Sequence, residues 1–183
     1  MYIVPISFGL LMQRDCDPKI LSYLLNNGLN ANAVEPATGS GPLETALSFS
    51  NTACAKVLIT HGADVNATTR DGASPLLRAV GYENMEMAKL LLTMHANPNV
   101  AMDNGVTPLI LAATIRASNI ALLLLKYGAN PCAQNHQGMT ASDVARDSNI
   151  NGPGNQELAA LLMCKSQATN ESGGARSAEA RNL

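Results

Sequence analysis

Three histidines are the side chains that could most directly bind a metal ion or move a proton. His61 and His95 lie towards the ends of two predicted helices, and His136 lies in a predicted turn. A zinc site or a general base would need further ligands or a carboxylate at a suitable spacing. No carboxylate falls in register with these histidines, so we interpret all three as structural or solvent-exposed side chains.

Two glycine-rich stretches and one pair of carboxylates are the remaining candidates for chemistry. GSGP (39–42) and NGPG (151–154) neither precede Lys-Ser/Thr nor follow a predicted strand, so a phosphate-binding loop is not indicated. Asp143 and Asp147 have Arg146 between them, which is typical of a solvated helix face. No Ser/His/Asp or Cys/His catalytic signature is present. We therefore predict a protein that is not an enzyme and that uses no cofactor or metal.

The composition limits the partners that the chain could bind. Hydrophobic residues make up 46% of its 183 residues and charged residues 14%, with a formal net charge of −2. Nucleic acid or an anionic membrane would require a clustered basic surface. The chain has two Phe, four Tyr and no Trp, too few for a base-stacking platform. No apolar run approaches the ~20 residues of a membrane span. We predict a partner that is neither nucleic acid nor membrane.

The cysteines and the amino-terminal stretch bear on the cellular compartment. Cys16, Cys54, Cys132 and Cys164 are far apart and form no C-x-x-C motif, so we predict reduced thiols in a cytosolic environment rather than a disulfide framework. The first residues, MYIVPISFGLLMQRD, lack a basic region and a cleavage site, and Pro5 interrupts them. We interpret them as a first structural helix, with a signal peptide as the alternative.

A period of 33 residues organises most of the chain. Glycine and proline recur at this interval, Ala141 takes the place of the fourth proline, and a leucine-rich segment belongs to each copy. A fixed period of this length is the signature of stacked repeat units. The positions in phase are Gly39, Gly72, Gly105 and Gly138; Pro42, Pro75 and Pro108; and Gly62, His95 and Gly128.

Each period predicts two antiparallel helices and a hairpin. SPLLRAV and TPLILAA begin with a hydroxyl N-cap and with proline at the first helical position. A turn leads to a second helix with a leucine stripe, and a left-handed residue such as Gly62 follows that helix. Because one unit cannot bury its apolar faces alone, the units must stack. The sequence therefore predicts an all-α solenoid of helix-turn-helix units with short β-hairpin connections.

These motifs resemble the ankyrin repeat. GASPLL, GVTPLI and GADVNA match the family pattern and recur in phase, and the resemblance covers residues 7–164. It implies a repeat domain over residues 1–164. Beyond it, residues 165–183 form a polar tail whose composition predicts disorder. The implied units are roughly 5–34, 35–68, 69–101, 102–134 and 135–164.

The resemblance implies a protein-binding module that acts as an adaptor, an inhibitor or an effector. It also implies a cytoplasmic location, or secretion into a host cytosol if the protein is a bacterial effector. The alternative is a structural subunit of a larger assembly, or the ankyrin part of a longer effector. A repeat stack needs a polar outer face at each end, yet the first twelve residues are almost wholly apolar. Either these residues fold back over the first unit, or they contact another chain or an upstream segment. We predict a tendency to weak self-association through Tyr2, Ile3 and Phe8.

Two departures from the family pattern carry structural expectations. The usual histidine after Pro-Leu is absent, so the hydrogen bonds that it makes in the family are missing. His95 stands where glycine is expected, and we predict a positive φ there at a cost of about 1 kcal/mol. The residues that replace the usual histidine are Glu44, Leu77, Ile110 and Asp143.

The resemblance also indicates where a protein partner would bind. Phe49, Tyr82 and Ile115 are 33 residues apart, each after the first helix of its unit, at a family position that faces the concave groove. A contiguous apolar row marks a binding site, and aromatic side chains are enriched among interface hot spots. The alternative is that Phe49 and Tyr82 are tucked into the inter-helix turn as local core. Beside the row, the hairpin tips would present a mixed rim of Arg70, Asp71, Asp103, Asn104, Val106, His136, Gln137 and Met139.

One asparagine is a candidate for modification. LITHGADVN (58–66) is similar to the ankyrin stretch that an asparagine hydroxylase modifies, which makes Asn66 the candidate. The alternative is a hairpin asparagine that bonds its own backbone. An intact mass without an added oxygen, after incubation with such an enzyme, would rule the modification out.

Overall fold

The computed structural model describes residues 16–36, 39–147 and 155–164, and these residues form nine helices and no strand. In chain order the helices are α1 (Pro18–Asn26), α2 (Pro42–Ser48), α3 (Thr52–Thr60), α4 (Pro75–Gly81), α5 (Met85–Thr93), α6 (Pro108–Thr114), α7 (Ser118–Lys126), α8 (Ala141–Arg146) and α9 (Gln156–Leu161). The even-numbered helices are the first helices of the predicted units, and the odd-numbered helices are the second helices. The all-α prediction is confirmed.

The first helices begin where the sequence predicts them, at a hydroxyl side chain. Ser74 and Thr107 each accept a hydrogen bond from the backbone N–H three residues further on, just before the proline of α4 and α6. Thr140 and Asp143 form a reciprocal capping box at α8. Only α2 departs from this pattern among the described first helices, because Gly41 has no side chain to cap it.

The second helices of the later units begin at asparagine. Asn51, Asn84 and Asn155 each accept a hydrogen bond from the backbone N–H three residues further on, at the starts of α3, α5 and α9. At α7 the equivalent residue is Ala117, which offers no side-chain cap. One orphan N–H at the start of α7 therefore lacks the partner that its equivalents have.

Left-handed residues follow both helices of the units. Gly62 and Gly128 have φ values of 84° and 87°, and His95, between them in the repeat, has a φ of 64°. The predicted positive φ at His95 is confirmed. The first helices are followed by left-handed residues that are not glycine, namely Ser50, Glu83 and Arg116, with φ values of 53°, 53° and 59°.

Small side chains allow the helices to stack closely. Each even-numbered helix contacts the odd-numbered helix that follows it, and also the even-numbered helix of the next unit. The packing is thus between neighbours, as expected of a repeat stack. Four alanines of the first helices and four leucines are fully buried in the core: Ala46, Ala79, Ala112 and Ala113, with Leu58, Leu76, Leu91 and Leu124.

The hairpin connections are tight turns, and the turns of neighbouring units contact each other. The backbone N–H of Met102 donates to the carbonyl of Val106 at 3.0 Å, and the hairpins before and after it close in the same way. The N–H of His136 donates to the carbonyl of Asn104 in the preceding unit, also at 3.0 Å. The stack of helices therefore continues into a stack of turns.

A ladder of asparagine side chains also joins neighbouring units. Asn32, Asn66 and Asn99 each accept, through Oδ1, a 2.7 Å hydrogen bond from a backbone N–H of the next unit. Asn32 and Asn99 also donate to the carbonyls of Gly62 and Gly128. The repeat period brings each asparagine to the same place beside its neighbour.

The prediction of four reduced thiols is wrong, because stacking brings cysteines of neighbouring units together. Cys16 and Cys54 form a disulfide with their Cα atoms 6.5 Å apart. Cys132 and Cys164 form a second one with a Cα separation of 4.9 Å. Both separations suit a disulfide. The partners lie 38 and 32 residues apart, close to one period, which is why cysteines distant in sequence meet.

Several predicted features lie outside the described residues. They are the amino-terminal segment 1–15, with Tyr2, Ile3 and Phe8, the loop at 148–154, and the tail at 165–183. The boundaries of the five units stay predictions.

Candidate functional site

Phe49, Tyr82 and Ile115, which we call the docking row, occupy the same place in three successive units. Each is the C-cap residue of a first helix, with nearly identical φ values of −93°, −88° and −90°. Phe49 is 43% exposed and Tyr82 is 50% exposed. Ile115 is partly buried and packs against the core. The row is open to solvent at its two aromatic members.

The hairpin tips beside the row form the predicted rim. Val106 and Met139 are only partly buried, and both pack against the core, so they support the tips more than they present a surface. The other six rim residues are exposed: Arg70, Asp71, Asp103, Asn104, His136 and Gln137.

Side chains within each tip hold the rim in one conformation. Asn104 Oδ1 accepts the backbone N–H of Val106 at 3.1 Å. One unit later, Asn135 Oδ1 accepts the N–H groups of both Gln137 and Met139 at 3.0 Å. Tips fixed in this way lose little conformational entropy on binding, which favours affinity.

A group of three charges links the helices α2 and α4 to the rim. The Glu44 carboxylate is 8% exposed, and its Oε1 lies 2.7 Å from Nε of Arg78. This contact is an ion pair without hydrogen-bond alignment, and Oε2 of Glu44 has no hydrogen-bond partner. Arg78 Nη2 lies 3.5 Å from Oδ2 of Asp71 on the rim. Arg78, with a side chain that is 36% exposed, therefore brings positive charge to the surface between two carboxylates.

The two carboxylates differ in the direction of their pKa shifts. Burial raises the pKa of Glu44 above its ordinary value of 4.5, and the charge of Arg78 offsets only part of that effect. A hydrogen bond from the Thr69 hydroxyl lowers the pKa of the exposed Asp71 carboxyl. Asp71 is therefore a firmly ionised rim residue, whereas the charged form of Glu44 is disfavoured.

A comparison with known protein families identifies the architecture. The family model for ankyrin repeats (3 copies) matches residues 11–102 and 76–172. The chain belongs to the ankyrin-repeat family. No curated protein matches it. Ankyrin repeats are generally protein–protein interaction modules and are typically not enzymes.

His61 is held by contacts within its own ankyrin stack. His61 Nδ1 lies 2.8 Å from the carbonyl of Val57 and its Nε2 lies 3.4 Å from the Ser22 hydroxyl, which suits a structural role. Among residues 16–36, 39–147 and 155–164, no group of three or more His, Cys, Asp or Glu side chains could hold a metal ion. In the same ranges, no helix has both the length and the apolar character to cross a membrane.

A cleft of about 320 Å³ lies at the base of the first hairpins. Its lining includes Ala31, Val34, Pro42 and Thr69, together with Glu44. The unpaired Oε2 of Glu44 is covered, so it cannot meet a ligand in this cleft without moving. The lining also includes the polar residues Asn32, Asp64 and Thr68, so the walls of the cleft are mixed in character.

Asn66 belongs to the ladder between units, which corrects one of the two interpretations of this residue. Its Oδ1 accepts the N–H of Asn97 in the next unit, so the side chain does not bond its own backbone. The residue is exposed, and no described residue accepts a hydrogen bond from its Nδ2. Hydroxylation of Asn66 stays a prediction.

The charge group is the part of the candidate site that sequence reasoning missed. Glu44 was noticed only as a substitute for the family histidine. The repeat period could have predicted the contact. One period after Glu44 is Leu77, and Arg78 is the next residue, so Arg78 lies beside the neighbouring unit's equivalent of Glu44. A side chain at one position in a unit can meet the position one residue further in the next unit.

Proposed function

We propose that this ankyrin chain binds a protein partner through a docking surface made of the docking row and the rim. In this proposal the chain acts as an adaptor, an inhibitor or an effector, and the partner's apolar side chains cover Phe49 and Tyr82. Arg78 and the exposed rim residues would then supply polar contacts around the apolar centre, the arrangement that is common in protein interfaces.

The observation that supports the proposal most is the exposure of two aromatic side chains in register. Phe49 and Tyr82 are 43% and 50% exposed, although the chain has only two Phe and four Tyr. Each is fixed at a helix end by backbone hydrogen bonds; the Tyr82 N–H, for example, donates to the carbonyl of Arg78 at 2.9 Å. Rigid, partly exposed aromatic side chains are typical hot-spot anchors.

Tyr82→Ala tests the proposal. The partner is first captured with the wild-type chain and identified, and Kd is then measured for the wild type and the variant. We expect Tyr82→Ala to weaken binding by about 30-fold, which corresponds to about 2 kcal/mol. Because half of the Tyr82 side chain is exposed, the melting temperature should change little.

Leu122→Ala is the matched control. Leu122 is 46% exposed, like Tyr82, but lies on the second helix α7 rather than on the docking row. This variant should bind the partner as the wild type does. The proposal is wrong if Tyr82→Ala melts several degrees lower yet binds normally, or if the two variants weaken binding equally.

A second candidate function is self-association through the amino-terminal end. Ile20 and Tyr23 on α1, the first described helix, are 56% and 68% exposed. Two large apolar side chains exposed on one helix favour a contact with another chain. Sedimentation of the wild type against Ile20→Ser/Tyr23→Ser tests this candidate. A wild-type chain that remains monomeric at high concentration would eliminate it.

A further inference from the structure

The two disulfides lie near the two ends of the described stack. Cys16 lies just before Asp17, the N-cap of α1, and its partner Cys54 lies in α3 of the next unit. Cys132 lies in the hairpin after α7, and its partner Cys164 lies after α9 of the next unit. Each bond therefore fastens the first or the last described helix to a neighbouring unit. We call α1 and α9 the end helices of the described stack.

The end helices of the described stack also have fewer packing partners than the second helices between them. Among the described helices, α1 packs mainly on α3, and α9 packs mainly on α8. The second helices α3, α5 and α7 each pack on two neighbouring helices. Elements with fewer packing partners open at a lower free energy, so we expect α1 and α9 to open before the central helices.

We propose that the two disulfides are redox staples, so that the folded length of the stack depends on its thiol redox state. In the oxidised chain both end helices are docked. A dithiol reductant releases them, α9 before α1, while the central units stay folded. The docking row lies in the central units, so it survives the release.

The order of release follows from access to sulfur. Cys132 is exposed, whereas Cys164 is 2% exposed. A thiolate of the dithiol attacks Sγ of Cys132, and the Cys164 sulfur leaves and takes up a proton. The second thiol then closes on the first, which oxidises the reductant to a disulfide and frees Cys132 as a thiol. Cys54 is fully buried and Cys16 is half-buried, so the same exchange is slower at the amino-terminal end.

This proposal carries a consequence for the compartment. Cytosolic thiol systems keep accessible disulfides reduced, so the fully docked stack belongs to an oxidising environment. The cytoplasmic location that the family resemblance implies would instead hold the chain with at least α9 released. The redox state thus distinguishes a long form of the stack from a shorter one.

Thiol alkylation tests the pairing and the order of release. The full chain, purified under oxidising conditions, is alkylated with and without graded dithiothreitol and mapped by mass spectrometry. We expect no alkylated cysteine without reductant. With reductant, Cys132 and Cys164 should be alkylated at least tenfold faster than Cys16 and Cys54. Free thiols in the oxidised chain, or the opposite order, would overturn the proposal.

Hydrogen exchange tests the structural consequence. On reduction, amides in 155–164 should exchange faster by on the order of 100-fold, while those of α5 should not change. Cys132→Ser/Cys164→Ser should reproduce the change at α9, and Cys16→Ser/Cys54→Ser should leave α9 protected. If reduction leaves exchange in 155–164 unchanged, or if both double variants affect α9 alike, the staples do not act as proposed.

Discussion

Replacing Glu44 by leucine tests how a buried charge is tolerated in this stack. Glu44 is 8% exposed, and its Oε2 has no hydrogen-bond partner. Its carboxylate forms an ion pair with Arg78. The next unit shows the apolar alternative, because Leu77 takes the same repeat position and is 2% exposed. Glu44→Leu therefore gives the second unit the residue that the third unit already uses.

The magnitude follows from three opposing contributions. A buried carboxylate oxygen without a hydrogen bond costs about 1–3 kcal/mol. The ion pair with the part-exposed Arg78 is screened by water and returns about 1 kcal/mol. Burial of the new leucine adds roughly 1.5–3 kcal/mol, less what its different shape costs in packing. Arg78 keeps Asp71 at 3.5 Å from its Nη2, whereas its buried Nε loses the carboxylate of Glu44, which reduces the gain. We expect the free energy of unfolding to rise by about 2 kcal/mol, within the range seen when buried ion pairs are replaced.

Urea denaturation at two pH values is the assay. Because burial raises the pKa of Glu44 in the folded chain above 4.5, the folded chain keeps this proton over a pH range in which the unfolded chain has lost it. The wild-type free energy of unfolding therefore falls as the pH rises from 4.5 through the folded-state pKa. The variant lacks this dependence, so its advantage should be larger at pH 7.5 than at pH 5.

Two further variants separate charge from shape. Glu44→Gln removes the charge but not the polar group, and should remove the pH dependence with a smaller gain in stability. Leu77→Glu should destabilise the fold by about 3 kcal/mol or more, since Leu111 stands where Arg78 stands for Glu44 and offers no positive charge. A clear loss of stability in Glu44→Leu at pH 7.5 would refute the reasoning, because it would show that the ion pair is a net stabilising contact.

Two other substitutions use the repeat as their own control. Ala117→Asn should raise the free energy of unfolding by about 1 kcal/mol, because it gives α7 the cap that Asn84 gives α5; a thermal melt that is unchanged or lower would count against it. Gly105→Ala should destabilise the chain about 1–2 kcal/mol more than Gly128→Ala, since both have positive φ but only a Cβ at 105 would lie 2.9 Å from the backbone N of His136. Equal losses in chemical denaturation would mean that backbone strain alone decides the effect.

The helix starts and the left-handed residues could be predicted from short stretches of the sequence. Ser74 and Thr107 were predicted as N-caps from a hydroxyl before proline, and both make the bond. His95 was predicted to be left-handed because it replaces a glycine in phase, and its φ is 64°. These features depend on a few consecutive residues and on the period. Neighbouring units repeat the same geometry, so one correct unit predicts the others.

Contacts between units were harder to predict because they depend on the direction of side chains. Cys16 and Cys54 are 38 residues apart, and nothing in that number shows that their sulfur atoms face each other. Ile115 shares its backbone position with Tyr82, yet it packs against the core and Tyr82 does not. The period fixes which backbone positions are neighbours, but the size and shape of each side chain decide whether it turns inwards.

The residues that break the repeat therefore carry more information than those that keep it. A residue that matches its equivalents one period away is explained by the common geometry of the stack. Glu44 and Ala117 do not match their equivalents. Glu44 leaves its Oε2 without a hydrogen-bond partner, where an apolar equivalent would need none. Ala117 leaves the start of α7 without the side-chain cap that its asparagine equivalents supply. Such losses of stability persist in a sequence when they are small or when another requirement opposes the substitution that would remove them.

For Ala117 no charge or exposed aromatic side chain is involved, so Ala117→Asn should leave partner binding unchanged. For Glu44 the partner is Arg78, which reaches the proposed docking surface. If Glu44 serves to orient Arg78, Glu44→Leu should strengthen the fold and weaken partner binding together, a combination that Ala117→Asn should not show.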